Sequence, residues 1–105
     1  MNKIGIIGTG IWGTALALNA TRAGNDVLCW ARHQNIIDDI NNNHINQTYL
    51  SETPLPATIR ATTELKEVFA FADIVLLTVS AQFTREVMKN IKPYLHKNTV
   101  LVPAN

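Results

Sequence analysis

An open, doubly wound α/β domain, with about five parallel strands and helices on both faces of the sheet, is the fold class that this sequence predicts. Three observations carry it. Apolar runs of strand length recur along the chain: "KIGII", "DVLCW", a weaker "ATIRAT", "DIVLLTV" and "TVLVP". Runs that are apolar at successive positions suit strands covered on both faces, as in a parallel sheet. Between them lie segments with helical spacing of apolar residues, and the resulting β-α-β-α-β-α-β-α-β order requires right-handed crossovers. Finally, 105 residues of which 47% are apolar and 16% charged are enough for one core and no more, because a chain of this size buries roughly two thirds of its unfolded surface.

The elements follow in order. "KIGII" is the first strand and runs straight into a group of glycines. Trp12 to Ala23 is the first helix, with Ala15, Leu16, Ala20 and Ala23 on one face and Gly24 as its stop. "DVLCW" is the second strand, and Cys29 within it reads as a buried, inert thiol. Gln34 to Asn43 makes a second helix through Ile36, Ile37 and Ile40. The segment from His44 to Pro56, with Tyr49, Leu50, Pro54 and Pro56, is longer than a usual connection and reads as a functional loop. After "ATIRAT", Thr63 to Phe71 is a third helix capped by Thr62 or Thr63. After "DIVLLTV", Gln82 to Ile91 is a fourth, capped by Ser80 and ended by Pro93. "TVLVP" is the fifth strand, and residues 1–105 make one domain.

Several function classes are disfavoured. Net charge is +1 with the basic residues scattered, so no basic stripe exists to neutralise nucleic-acid phosphates. No apolar run reaches the length of a membrane span, and Met1 to Lys3 enter the first strand without the pattern of a secretory leader. A single cysteine allows no internal disulfide and makes a cytoplasmic setting the default. His33, His44 and His96 lack metal-ligand spacing, so no metal site is expected. Asp73, Glu64 and Glu86 read as solvated surface, and no residue of this portion is assigned a catalytic role.

The chemistry lies in "IGIIGTGIWGTALA". Gly8, Gly10 and Gly13 form a G-x-G-x-x-G directly after a strand and at the opening of a helix, the context that makes the motif specific for a Rossmann-type dinucleotide site. Gly8 serves the tight turn, Gly10 the approach of backbone to pyrophosphate, and Gly13 the packing of helix on strand. The N–H groups of the first helical turn, with the helix dipole behind them, supply the anion attraction. At the end of the second strand, where an NAD-specific site carries an acidic residue about 20 positions on, this chain has "WARH". Arg32 follows Gly13 by 19 positions. A guanidinium there suits the 2′-phosphate of NADP, with NAD still open.

"GTGIWGTALA" resembles the nucleotide-binding motif of the NAD(P)-dependent glycerol-3-phosphate dehydrogenases of bacterial type, and "CWARH", "NQTYLSETPLP" and "TVSAQFTREVMKNIKPYL" resemble further stretches of that family. The resemblance implies phosphate contacts at Gly8, Gly10, Ile11, Trp12 and Gly13, an adenosine ribose end at Arg32 and His33, and Phe83 beside the nicotinamide half of NADP or NAD. Ile11 departs from the small polar residue common in the family, which removes a side-chain hydrogen bond and keeps the backbone contacts. In the family a Lys-Gly pair follows the position of Asn105. A mostly helical second domain then binds a small phosphorylated substrate, and the full-length enzyme is expected to be a homodimer. Residues 1–105 are accordingly expected to be inactive alone. The implied reaction is hydride transfer from the nicotinamide to dihydroxyacetone phosphate, giving sn-glycerol 3-phosphate for glycerolipid synthesis. Another NADP-dependent reductase of the same fold, or a non-catalytic dinucleotide-binding module, are the alternatives.

Overall fold

The computed structural model describes residues 2–48, 52–79, 81–94 and 100–103, with the side chains of 81–84 and 103 excepted. Five strands form one parallel sheet: β1 (Lys3–Ile7), β2 (Asp26–Trp30), β3 (Arg60–Thr62), β4 (Ile74–Leu77) and β5 (Val100–Pro103). Their spatial order is β3-β2-β1-β4-β5, so the chain winds outward from β1 in one direction and then returns to wind outward in the other. In register, Ile6 pairs with Cys29 on one side and with Leu76 on the other.

Period-two alternation within continuously apolar strands divides the core in two. Ile6, Val27 and Cys29 face one layer, together with Ala17, Ile36, Ile37 and Ile40 of the helices that cover it. Ile7, Leu28, Val75 and Leu77 face the opposite layer, against Val68, Phe69, Val87 and Ile91. Both faces are therefore covered, the reason that the strand sequences show no polar face.

Helix α1 (Ile11–Arg22) buries Gly13, Thr14, Ala17 and Leu18. This corrects the expected face. Leu16 and Ala20 flank the contact and Ala23 is exposed, because the small residues at 13 and 17 bring that line of the helix closest to the sheet. The helix ends as expected at Gly24, whose φ is +92°. Gly24 N–H donates to Thr21 O and Asn25 N–H to Ala20 O, the paired bonds of a Schellman motif.

The second helix is shorter than expected. Helix α2 (Gln34–Asp38) passes into a wider π-helical turn, Asp39–Asn43, while Ile36, Ile37 and Ile40 are buried as predicted. The widening suits Asn41, whose amide bonds outside the turn: it donates to Ala61 O at 2.9 Å and accepts from Ala61 N–H at 2.8 Å. That amide completes the outer edge of β3 as a neighbouring peptide would.

Helix α3 (Leu65–Phe71) starts later than Thr62 or Thr63 would allow, with Glu64 at its N-cap. Thr62 is held in the sheet, its carbonyl accepting from Ala31 N–H, and Thr63 O accepts from Trp30 Nε1. The Thr62 hydroxyl instead receives Glu64 N–H. "ATIRAT" contributes only Arg60–Thr62 as strand, since Ile59 N–H closes a turn on Pro56 O. Helix α4 (Ala81–Ile91) runs into a 3₁₀ turn, Lys92–Tyr94, containing Pro93; the proposed cap at Ser80 lies outside the described residues. No described helix is long and apolar enough to cross a membrane.

Candidate functional site

The strand order reverses between β1 and β4, and in open α/β sheets ligands bind outside the carboxyl ends of the strands at that crevice. A cleft of about 480 Å³ lies there. It is lined by the turn after β1 (Gly8 to Gly13), the end of β2 and the residues after it (Trp30 to His33, with Ile36), and Thr78 and Val79 after β4. Of the residues singled out from the sequence, Gly8, Gly10, Ile11, Trp12, Gly13, Arg32 and His33 all meet at this one cleft. The Phe83 side chain lies outside the described residues.

Each glycine meets a different constraint. Gly8 has φ +118°, a region that side-chain-bearing residues avoid. A Cβ on Gly13 would strike Gly8 O and come within 2.7 Å of the Thr78 hydroxyl, so the start of α1 can sit this close to the turn only without a side chain. Gly10 differs: its φ is −68° and a Cβ there would have no atom within 4 Å. Neither backbone conformation nor internal packing calls for glycine at 10. What remains is the open cleft itself, as a position of close ligand approach requires.

The electrostatics favour an anion. The first intrahelical hydrogen bond of α1 runs from Thr14 N–H to Gly10 O, leaving the N–H groups before it without helical acceptors. No acidic residue occupies the first turn to compete for them. Arg32, exposed, adds a guanidinium charge at the β2 end of the cleft, beside the exposed His33. Ile11 and Trp12 are 62% and 54% exposed, so they belong to the rim of the cleft and not to the core.

Sequence reasoning missed Thr78, whose backbone N–H and hydroxyl both donate to Ile7 O, wedging its side chain between the first and third glycines. It also missed Trp30, which lines the cleft while its indole N–H is tied to Thr63 O. Nor did it give a site role to Asn46, fully buried beneath the glycine turn. Asn46 opens the "NQTYLSETPLP" stretch that carries the resemblance, but nothing local separates its buried amide from the exposed Asn42 and Asn43, so no role could be read for it from sequence. Among the described residues no cluster of His, Cys, Asp and Glu could hold a metal ion.

The family model described as the NAD-dependent glycerol-3-phosphate dehydrogenase N-terminus matches residues 3–105. The chain belongs to that family. A glycerol-3-phosphate dehydrogenase [NAD(P)+] of Paramagnetospirillum magneticum is 47% identical over 94 residues, 90% of this chain and 34% of the relative. The Bacillus subtilis enzyme of the same name is 39% identical over 102 residues, 97% of this chain and 30% of its own. A solved glycerol-3-phosphate dehydrogenase from Coxiella burnetii superposes with a TM-score of 0.90 at 31% identity, covering 98% of this chain and 32% of that one. The chain thus spans about a third of the length of the glycerol-3-phosphate dehydrogenases it matches.

Proposed function

We propose that this chain is the dinucleotide-holding portion of an NAD(P)-dependent glycerol-3-phosphate dehydrogenase. In this reading Gly8, Gly10, Ile11, Trp12 and Gly13 hold the pyrophosphate, Arg32 and His33 the adenosine ribose end, and Phe83 adjoins the nicotinamide half. The observation that carries the reading is Gly10: a glycine required by neither its φ nor its neighbours, at the N-terminus of a helix that opens on a cleft. The cradle fits the group.

The bound dinucleotide supplies the hydride chemistry, between the nicotinamide and C2 of dihydroxyacetone phosphate or sn-glycerol 3-phosphate. This chain's residues bind and orient. The N–H groups of the first turn of α1 attract the pyrophosphate, and Trp12 and Ile11 cover it from the rim. Arg32 stands where an acidic residue would select NAD, so NADP is the preferred cofactor and NAD the second. The substrate contacts and the proton-donating acid are assigned to a second, mostly helical domain following this one, in a cytoplasmic homodimer whose reducing direction supplies glycerolipid synthesis.

Assay of the full-length protein for NADPH and NADH oxidation with dihydroxyacetone phosphate tests the proposal. Turnover confirms it. Dinucleotide binding without turnover leaves a binding module, and turnover with a different carbonyl substrate leaves another reductase of this fold.

A further inference from the structure

Three of the four buried polar residues among those described, Thr9, Thr14 and Asn46, touch one another. Asn46 Nδ2 donates to Thr9 O at 2.9 Å and to Thr14 Oγ1 at 3.0 Å, and the Thr14 hydroxyl donates in turn to Thr9 O at 3.2 Å. The acceptor of two of these bonds is the backbone carbonyl between Gly8 and Gly10. We propose that Asn46 is a positioning residue for the phosphate-binding turn, with the loop that carries it acting as a strut beneath the glycines. The inference rests on the dinucleotide reading above and extends it to a residue that touches no ligand.

The geometry of the peptide unit makes the link. No peptide bond among the described residues is cis, and in a trans peptide the C=O and N–H of one unit point in opposite directions. Drawing Thr9 O inward onto two buried donors therefore turns Gly10 N–H outward, to the side on which Gly8 to Gly13 line the cleft. Asn46 is itself held on both sides. Ile45 N–H donates to Asp39 O and Gln47 N–H to Asp39 Oδ2, so the π-helical turn anchors the residues before and after it. His44, at φ 55°, reverses the chain there, and Leu55 N–H closes the loop base on His44 O at 2.7 Å.

Stability does not account for asparagine at this position. Asn46 is 0% exposed and its Oδ1 accepts no hydrogen bond among the described residues, an arrangement that destabilises a fold. Thr9 O would keep the Thr14 hydroxyl as donor if Asn46 were apolar, so a residue of similar size and no polarity would leave nothing else orphaned. The amide is thus retained at a cost, and its one evident effect is on the glycine turn.

The test compares wild type with Asn46→Leu, Thr14→Val and Thr14→Ser in the full chain. It measures thermal unfolding, NADPH and NADH dissociation constants, and hydrogen exchange of a peptide covering residues 8–13. Asn46→Leu is expected to unfold at or above the wild-type temperature, to bind both dinucleotides at least tenfold more weakly, and to exchange faster in 8–13. Thr14→Val should lose affinity in the same way and Thr14→Ser should restore it. Wild-type affinity and exchange in Asn46→Leu would overturn the proposal, as would affinity lost only in step with thermal stability. If Asn46→Leu does not fold, the Thr14→Val and Thr14→Ser pair decides by the same two readouts. Absence of dinucleotide binding by wild type would instead remove the functional reading, while exchange in 8–13 would still report whether Asn46 orders the turn.

Discussion

At Gly10 the backbone is in an ordinary region and the space above it is open. Gly10→Val should therefore fold, with a stability change within about 1 kcal/mol, and lose measurable dinucleotide binding, as calorimetric titration beside thermal unfolding would read. Gly13→Ala should do the reverse of folding cleanly, since its Cβ collides with Gly8 O; a destabilisation of about 1–3 kcal/mol is expected. On the proposed reading Arg32 separates the two cofactors. Arg32→Asp removes a charge that suits a 2′-phosphate and adds a repulsive one, so NADPH binding should weaken by on the order of 2 kcal/mol or more. NADH binding should hold or improve, because aspartate can accept from the free 2′-hydroxyl. Equal losses would mean that Arg32 only supports the loop. The place of these residues at the cleft was legible in sequence because each answers a local rule, a glycine at fixed spacing or a charge at a strand end. Thr78 and Asn46 were not, since their roles arise only when β4 and the loop after α2 are folded against the turn, 71 and 37 positions away in sequence from their bonding partners Ile7 and Thr9.

The elements themselves were legible wherever apolar periodicity ran unbroken, and their limits failed where side chains bonded to backbone. The five strands and the buried isoleucines of α2 fall as the pattern predicts. The π-helical turn does not, because the Asn41 amide is drawn to β3, and the late start of α3 follows from bonds that hold Thr62 and Thr63 to β2. Asn41→Ala removes both bonds to Ala61 at the sheet edge. It should lower stability by about 1 kcal/mol in denaturant titration, with dinucleotide affinity unchanged because the edge lies away from the cleft. Cys29 probes the sheet at β2. Burial pushes its thiol from an ordinary 9.0 up to about 12, as expected for an inert position. The unfolded chain releases this proton first, so Cys29 contributes no pH dependence below about 9 and lowers stability as pH rises from there toward about 12. Native protein at pH 8 should resist a thiol reagent and yield one equivalent in denaturant; Cys29→Ala should flatten part of the alkaline decline.

For the molecule as a whole, the proposed function makes this chain's cleft the dinucleotide side of a larger site. On the proposed reading the glycine turn, the end of β2 and the residues after β4 hold the dinucleotide, and the acid that serves the carbonyl substrate belongs to another part of the protein. Residues 1–105 expressed alone should therefore bind NADPH, more weakly than the full-length protein, and show no oxidation of NADPH on adding dihydroxyacetone phosphate. The sheet adds a second consequence. On β5, the strand at one end of the order, Val100 and Val102 are 54% and 38% exposed, and Tyr94 nearby in sequence is 37% exposed. Uncovered edge strands with apolar side chains invite pairing with another chain. The isolated portion should then self-associate with rising concentration in sedimentation, and Val100→Lys with Val102→Lys should suppress it without weakening NADPH binding, because neither Val100 nor Val102 lines the cleft. Steady turnover of dihydroxyacetone phosphate by residues 1–105 would contradict the proposed division of labour, since the proton-donating acid would then have to belong to this portion.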